Sequence, residues 1–253
     1  MMRILIFRQL LWLVFALSVL IFSFGISWQI SKSVNFFYDS WYQTLKINDV
    51  IAKHVPKNTQ GKRDFPRDNS ELHRQKFADI VTAIHQQGYG LASISYINQN
   101  GFSQILLTPS EVLHLQDVAN LIDRLSLFWW VNLFILLVLC YVYGTNKYSK
   151  TSYRRMVELV EIPGGKQKLI SLLFLMLFVV LVFSVWGFTA IFYYLHTVVF
   201  PENHQWFFYY NDSLMATLMK APDIFAAIAI QLTIIALGIA AVIDVMVARI
   251  QMR

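Results

Sequence analysis

The chain has 253 residues, of which 57% are hydrophobic and 14% are charged, and its formal net charge is +6. Its mean hydropathy of +0.50 arises from apolar runs as long as the roughly 20 residues that a bilayer-spanning helix needs. This composition excludes an ordinary soluble domain, and the single cysteine, Cys140, excludes a disulfide framework within one chain. Membrane topology and anionic headgroups account for the basic excess, so we expect no nucleic acid partner.

Four apolar runs predict four transmembrane helices. The first extends from about Ile4 to Trp28, which is longer than the apolar core of a signal peptide, and no A-x-A cleavage site follows it. We therefore expect this first helix to be retained. The others extend from about Leu125 to Gly144, from Leu169 to Phe192 and from Ile224 to Val247.

Basic residues in the short loops predict the orientation. The loop of residues 145–168 carries six Lys or Arg, each terminus adds two, and the loop of residues 193–223 has only Lys220. The positive-inside rule then places both termini and loop 145–168 in the cytoplasm. We expect a multi-pass protein of the cell membrane, divided into helix 1 (1–29), an extracellular cap (30–124) and helices 2–4 (125–253) with a second extracellular segment rich in aromatic residues (193–223).

Local signals within residues 30–124 predict a small α+β cap. Asn69–Gln87 reads as a helix capped by Asn69 or Ser70, and a hairpin is expected from Leu91–Ile97 and Phe102–Leu107 around an Asn-Gly turn. A capping box, Thr108-Pro109-Ser110-Glu111, then predicts another helix start. The predicted fold class is membrane α-helical, with four transmembrane helices and this extracellular cap between helices 1 and 2.

Two histidines stand out as candidates for chemistry. His114 and His196 both fall on helix ends that face the predicted outer leaflet. Because imidazole gains and loses a proton near neutrality, the two rings can act as base and acid in acyl transfer. Asp117 follows His114 by three residues on the same helical face and can orient its ring. Ordinary surface histidines are the simpler alternative for both, and we expect His54, His73 and His85 to face solvent.

A metal site is a second interpretation of the polar residues near these histidines. Its possible ligands are His114, Asp117, His196, Glu202 and His204. No HExxH spacing is present, so we expect no metal. The Gly-x-Ser-x-Gly motif of serine hydrolases and a phosphate-binding Gly-rich loop are also missing from the sequence.

Two segments resemble the bacterial lipoprotein intramolecular transacylase family. Residues 107–123, LTPSEVLHLQDVANLID, are similar to that family's E-x-x-H-x-x-D-V helix. Residues 195–225 resemble its run of His, Phe, Trp, Asp-x-Leu and a Pro before a Phe. The matching positions of the second segment are His196, Phe200, Trp206, Asp212, Leu214, Pro222 and Phe225.

The resemblance implies an activity and a set of site residues. Such enzymes move the sn-2 acyl chain of a diacylated lipoprotein to the amine of its N-terminal cysteine, which gives the lyso form. The catalytic residues implied are His114 and His196, with Asp117 and Asp212 in support. Aromatic residues expected to bind substrate are Tyr38, Trp41, Phe200 and Trp206.

Several further expectations complete the interpretation. The resemblance implies no cofactor, and its partners are the lipoprotein substrate and membrane lipid, with no obligate protein partner. The active site is expected at the outer leaflet of a Gram-positive bacterium.

The helix from Pro109 to Arg124 should lie flat on the membrane or bend near Asp123–Ser126, because a straight helix would lift His114 away from the headgroups. The alternatives are a non-catalytic membrane protein whose cap binds a lipidated or protein partner, and a metal-dependent membrane hydrolase.

Overall fold

The computed structural model describes residues 2–145 and 165–252, which are mainly helical. Most of the predicted cytoplasmic loop 145–168 lies outside the described residues. Five long helices carry the apolar runs of the sequence. They are α1 (Met2–Ser33), α5 (Pro109–Thr145), α6 (Gly165–Trp186), α7 (Phe188–Val199) and α9 (Asp223–Met252).

The number of membrane spans agrees with the sequence only in part. Three stretches of the described residues are long and apolar enough to cross a membrane: Leu10–Ser33, Pro109–Tyr141 and Asp223–Val247. A fourth span results only if α6 and α7 count as one, since helical structure is interrupted between them at Gly187, where φ is +73°. Positive φ is a conformation that glycine adopts without steric cost, which explains the break at this residue.

Helix α5 has no break between Asp123 and Ser126. These residues are α-helical, as is the rest of Pro109–Thr145. A flat position of Pro109–Arg124 on the membrane, or a bend within the continuous helix, stays a prediction.

The chain divides into two compact units, and the first holds the described residues of Met1–Gln29, Ser126–Gly187 and Leu232–Arg253. Its buried cluster consists of Phe15, Val19, Leu136 and Leu139. Many other large apolar side chains are exposed, such as Phe134 and Phe174, each at 69%. Contiguous apolar exposure on this scale suits contact with lipid rather than water.

The second unit combines both of the predicted outer segments, Ile30–Leu125 and Phe188–Gln231. Its short elements are a 3₁₀ turn (Asn35–Phe37), α2 (Tyr38–Thr44), α3 (Ile47–His54), a 3₁₀ turn (Val55–Lys57), α4 (Ser70–Ile84), a 3₁₀ turn (Leu91–Ser93), β1 (Ser95–Ile97), β2 (Ser103–Ile105) and α8 (Leu214–Met219). The two strands pair in antiparallel fashion, with Ser95 opposite Ile105. Both strands are shorter than predicted: residues 91–93 form a 3₁₀ turn before β1, and β2 ends at Ile105, where bends follow.

Local capping signals in this unit are confirmed. The Asn69 side chain accepts a 2.9 Å hydrogen bond from the Leu72 amide, so α4 begins at Ser70. The helix ends at Ile84, three residues before the predicted end, and the Gly88 amide then donates to the Ala83 carbonyl at 2.9 Å. Gly88 has a φ of +81°, typical of a residue that closes a helix C-terminus.

The capping box of α5 reaches beyond its own helix. The Thr108 amide donates to Glu111 Oε2 at 2.5 Å, and the Glu111 amide donates to Thr108 Oγ1 at 3.4 Å. The other carboxylate oxygen, Oε1, accepts a hydrogen bond from the Ser213 hydroxyl. Ser213 Oγ in turn accepts from the Ala216 amide at 2.8 Å and caps α8. One fully buried carboxylate therefore joins the starts of two helices.

Helix α8 lies in the core of the second unit. All six of its residues are buried. The Tyr38 hydroxyl donates to the Leu218 carbonyl at 2.7 Å, and Lys220 Nζ donates to the Leu45 carbonyl at 2.9 Å. The first bond joins α8 to α2, and the second joins Lys220, just after α8, to Leu45, just after α2. The partners in each bond are more than 170 positions apart in the chain.

His73 corrects an expectation from the sequence. We predicted that it would face solvent, but its exposure is 0%. It lies on the face of α4 that also carries Phe77 and Ile80, so helical periodicity turns it inward. Its Nε2 donates to the Pro66 carbonyl at 2.7 Å, and its Nδ1 accepts from the Tyr42 hydroxyl at 2.8 Å. His54 and His85 are each half-buried rather than exposed.

Replacing Ser213 by alanine should destabilise the protein. The Ser213→Ala change leaves one oxygen of buried Glu111 without its donor and removes the cap of α8. We expect the free energy of unfolding to fall by roughly 1–3 kcal/mol, measured by denaturant unfolding in mild detergent. Ser103→Ala, at an exposed position of β2, is the control and should change stability by less than about 0.5 kcal/mol. Equal stability of the two variants would contradict the role of Glu111.

Acidification should destabilise the fold through His73. Burial lowers the pKa of His73, and the hydrogen bond to Pro66 opposes this only in part. Below the ordinary value of about 6.5 the unfolded chain therefore binds a proton that the folded chain rejects. The stability that neutral, buried His73 contributes is fully present above about pH 6.5, and it is lost as the pH falls from there through the lowered pKa of the folded protein. In thermal unfolding between pH 7.5 and 5, the His73→Gln variant should show a smaller decrease in Tm than the wild type. If Tm decreases equally with pH in both proteins, His73 does not contribute to the acid destabilisation.

Candidate active site

The structure brings His114 and His196 together within the second unit. His114 lies on α5, three residues after Glu111, and His196 lies near the end of α7. Their ring centroids are 6.1 Å apart, although His196 follows His114 by 82 positions (196 − 114 = 82). At this distance, ring nitrogens of both imidazoles can reach one small group of substrate atoms.

The hydrogen bonds of the two rings differ. His196 Nδ1 lies 2.7 Å from the Phe192 carbonyl oxygen, and a carbonyl only accepts, so this nitrogen carries the proton. In the neutral ring, Nε2 therefore has a free lone pair. His114 is 8% exposed, and among the described residues its Nδ1 is buried without a hydrogen-bond partner. Both rings thus retain nitrogen atoms that the fold itself does not use.

Aromatic rings surround the histidine pair. The Phe200 centroid is 4.9 Å from that of His114 and 5.1 Å from that of His196. Trp206 lies 5.2 Å from His196, and Phe208 lies 5.9 Å from His114. Phe200 and Trp206 were both expected near the site from the sequence.

Two further aromatic residues escaped the sequence analysis as site residues. Phe192 lies 4.1 Å from His196, centroid to centroid, and Phe208 contacts His114. Phe192 precedes His196 by one helical turn, which is a signal that could have identified it. Phe208 had no signal of its own beyond the density of aromatic residues around it.

Asp117 has a different partner from the one expected. Its Oδ2 is 2.6 Å from Nδ1 of His204, which lies in the segment between α7 and α8. We expected Asp117 to orient His114, one turn before it on the same helix. The carboxylate also reaches a histidine 87 positions further along the chain, and this contact had no signature in the local sequence.

Two aromatic residues expected to bind substrate make contacts within the fold. Tyr38 is 1% exposed, its ring stacks on Phe77 at 4.0 Å, and its hydroxyl donates to Leu218. Trp41 donates from Nε1 to Gln231 Oε1 at 2.9 Å. These contacts occupy the polar atoms of both side chains, and burial leaves Tyr38 almost no surface for a ligand.

Asp212 and the possible metal ligands are also placed by the structure. Asp212 Oδ1 accepts from Thr59 Oγ1 at 2.6 Å, so its carboxylate fixes the segment before α8 to the cap. Within residues 2–145 and 165–252 no three His, Cys, Asp or Glu side chains are grouped so as to hold a metal ion. The metal-dependent alternative therefore gains no ligand set from the described part of the chain.

Comparison with known proteins decides the family. The sequence model described as "Lipoprotein intramolecular transacylase Lit" matches residues 11–225, a range that includes both histidines. The chain belongs to this family. As a lipoprotein intramolecular transacylase it is an acyltransferase of the membrane with a lipoprotein substrate. The alternative of a non-catalytic binding protein is not retained.

A solved structure agrees with the fold of this transacylase. It is the in meso structure of the membrane integral lipoprotein intramolecular transacylase Lit from Bacillus cereus, in a single-residue variant. The alignment covers 96% of this chain and 91% of that chain, with 14% sequence identity and a TM-score of 0.59. At this identity the likeness concerns the fold. None of the curated protein sequences matches the chain significantly.

Proposed function

We propose that this transacylase moves the sn-2 acyl chain of an S-diacylglyceryl lipoprotein to the α-amino group of the N-terminal cysteine, with His114 and His196 as acid and base. The product is the lyso-form lipoprotein, which is N-acylated and keeps a monoacylglyceryl thioether. The observation that supports this proposal is the 6.1 Å separation of two imidazoles inside an aromatic enclosure. That spacing suits an amine and an ester carbonyl held between the rings.

The reaction needs one proton removed and one supplied. The amine nitrogen attacks the ester carbonyl carbon, a new N–C bond forms, and the bond from that carbon to the glyceryl oxygen breaks. The amine loses a proton and the glyceryl oxygen gains one, so the histidine pair holds the same number of protons before and after turnover. Because Nδ1 of His196 donates to Phe192, the Nε2 lone pair of the neutral ring is available to accept the amine proton.

Positioning and proton transfer contribute different amounts to the rate. General acid and base catalysis contributes about 10²–10⁴-fold for each group. Amine and ester belong to one molecule, and well-oriented reactions of this kind reach effective molarities of about 10⁵ M or more. An aromatic enclosure that holds the lipopeptide in a reactive fold and excludes water would therefore contribute at least as much as the two histidines.

The location of the site follows from the predicted topology. Both termini and loop 145–168 carry the basic residues that favour a cytoplasmic location, which leaves residues 30–124 and 193–223 outside. His114 and His196 belong to these outer segments, so the site would act at the outer leaflet on lipoproteins of a Gram-positive cell. Membrane lipid surrounds the enzyme, and the proposed chemistry requires no cofactor or obligate protein partner.

Removal of either imidazole should abolish formation of the lyso form. In a strain that lacks other N-acylation activity, we expect the wild type to produce N-acylated lyso lipopeptide and His114→Ala and His196→Ala to produce none. Mass spectrometry of the N-terminal lipopeptides measures the outcome. His85→Ala, in the same compact unit, is the matched control and should retain product. Normal product from a His114 or His196 variant that accumulates at the control's level would refute the role of that residue.

The orientation can be tested with single cysteines. In a Cys140→Ser background, Asn100→Cys lies at the exposed tip of the β1–β2 hairpin and Arg253→Cys lies at the C-terminus. A membrane-impermeant maleimide should label Asn100→Cys in intact cells and should label Arg253→Cys only after the cells are opened. The reverse pattern would show that the topology is inverted.

A further inference from the structure

The segment of residues 200–210, termed here the aromatic loop, carries rings that enclose the histidine pair. Phe200, Trp206 and Phe208 all belong to it. The loop contains no helix or strand, and its backbone bonds are local, such as that from the His204 amide to the Pro201 carbonyl at 3.0 Å. Its position over the two imidazoles must therefore depend on side-chain contacts with other elements.

One polar contact joins the middle of the loop to helix α5. His204 Nδ1 and Asp117 Oδ2 are 2.6 Å apart, and the two side chains are 23% and 15% exposed. Of the side-chain hydrogen bonds that the structure describes for residues 201–209, this one alone reaches another element of the fold. Asp117 lies three residues after His114, so the contact attaches the loop beside the histidine pair.

We propose that Asp117 and His204 are positioning residues that form a clasp, which holds the aromatic loop over the histidine pair so that the cysteine amine, and not water, reaches the acyl ester. The proposal rests on the function proposed above and assigns a second task to the same site. It gives Asp117, which lies one turn from His114, the further task of anchoring the loop. A charge-assisted hydrogen bond between partly buried groups is among the stronger polar contacts available for this purpose.

The amine and water compete for the same carbonyl carbon. When the amine attacks, the carbon–oxygen bond to glycerol breaks, the acyl group becomes an amide, and the amine proton ends on the glyceryl oxygen. When water attacks, the same bond breaks, the acyl group leaves as a free fatty acid, and a proton of water ends on the glyceryl oxygen. The ratio of free fatty acid to N-acylated product therefore measures the access of water, independently of how much enzyme is folded.

The test uses the full-length protein in detergent micelles with a synthetic diacylated lipopeptide. We expect His204→Leu to raise the ratio of fatty acid to N-acylated product at least about fivefold, because the loop loses the bond that favours its closed position. His204→Asn keeps an N–H donor near the position of Nδ1 and should stay within about twofold of the wild type. Asn203→Ala, at an exposed neighbour in the same loop, is the matched control and should leave the ratio unchanged.

A second pair of variants separates the clasp from a general loss of structure. Asp117→Ala removes the same bond from the other side, so it should raise the ratio as His204→Leu does. The double variant should then show no further increase, since the two changes break one interaction. Multiplicative effects in the double variant would overturn the clasp, and the product ratio can be measured even where a variant yields less folded enzyme.

The outcomes distinguish the clasp from the function on which it rests. A ratio within about twofold of the wild type for both His204→Leu and Asp117→Ala overturns the clasp, even if total turnover falls. Lack of any N-acylated product from the wild-type protein overturns the proposed function, and the clasp with it. A raised ratio in both variants, restored by His204→Asn, supports both.

Discussion

The buried carboxylate of Glu111 is the interaction on which the site depends most. It starts helix α5 through Thr108 and, through the Ser213 hydroxyl, also starts α8. His114 follows Glu111 on α5 by one turn, and the segment that carries the aromatic rings ends at Ser213. The helix that carries His114 and the segment that carries the aromatic rings are therefore both fixed by the side chain of Glu111. Because an unpaired carboxylate is costly in a buried place, this arrangement tolerates little displacement of either helix start.

The two histidines use their surroundings differently. His196 donates a hydrogen bond from Nδ1 to the carbonyl of Phe192 in its own helix. This bond fixes the tautomer of the ring and the direction of the lone pair on Nε2. His114 is more buried, and its ring is held by packing against Phe200 and Phe208 instead of by such a bond. The neighbouring aromatic rings lower the local polarity, so a proton exchanged with substrate is less readily exchanged with solvent.

Local signals predicted the helix starts, while distant contacts could not be predicted. Asn69 and the Thr108–Glu111 box act on amides within four residues, so their sequence pattern contains the whole interaction. Asp117 and His204 are 87 positions apart, and Ser213 and Glu111 are 102 apart, so single-sequence spacing says nothing of either pair. His73 was misassigned for another reason: its position on α4 agreed with burial, but its polar ring suggested solvent, and the partners that satisfy it come from other segments.

Helix α8 has a consequence for how the enzyme tolerates truncation. Its six residues lie in the interior of a unit that also contains residues as far back as Ile30, as the bond between Tyr38 and Leu218 illustrates. A chain shortened to end before Ser213 would keep both imidazoles but would lose this interior helix and the hydrogen bond from Ser213 to Glu111. Possession of the two histidines is therefore not sufficient for an intact site.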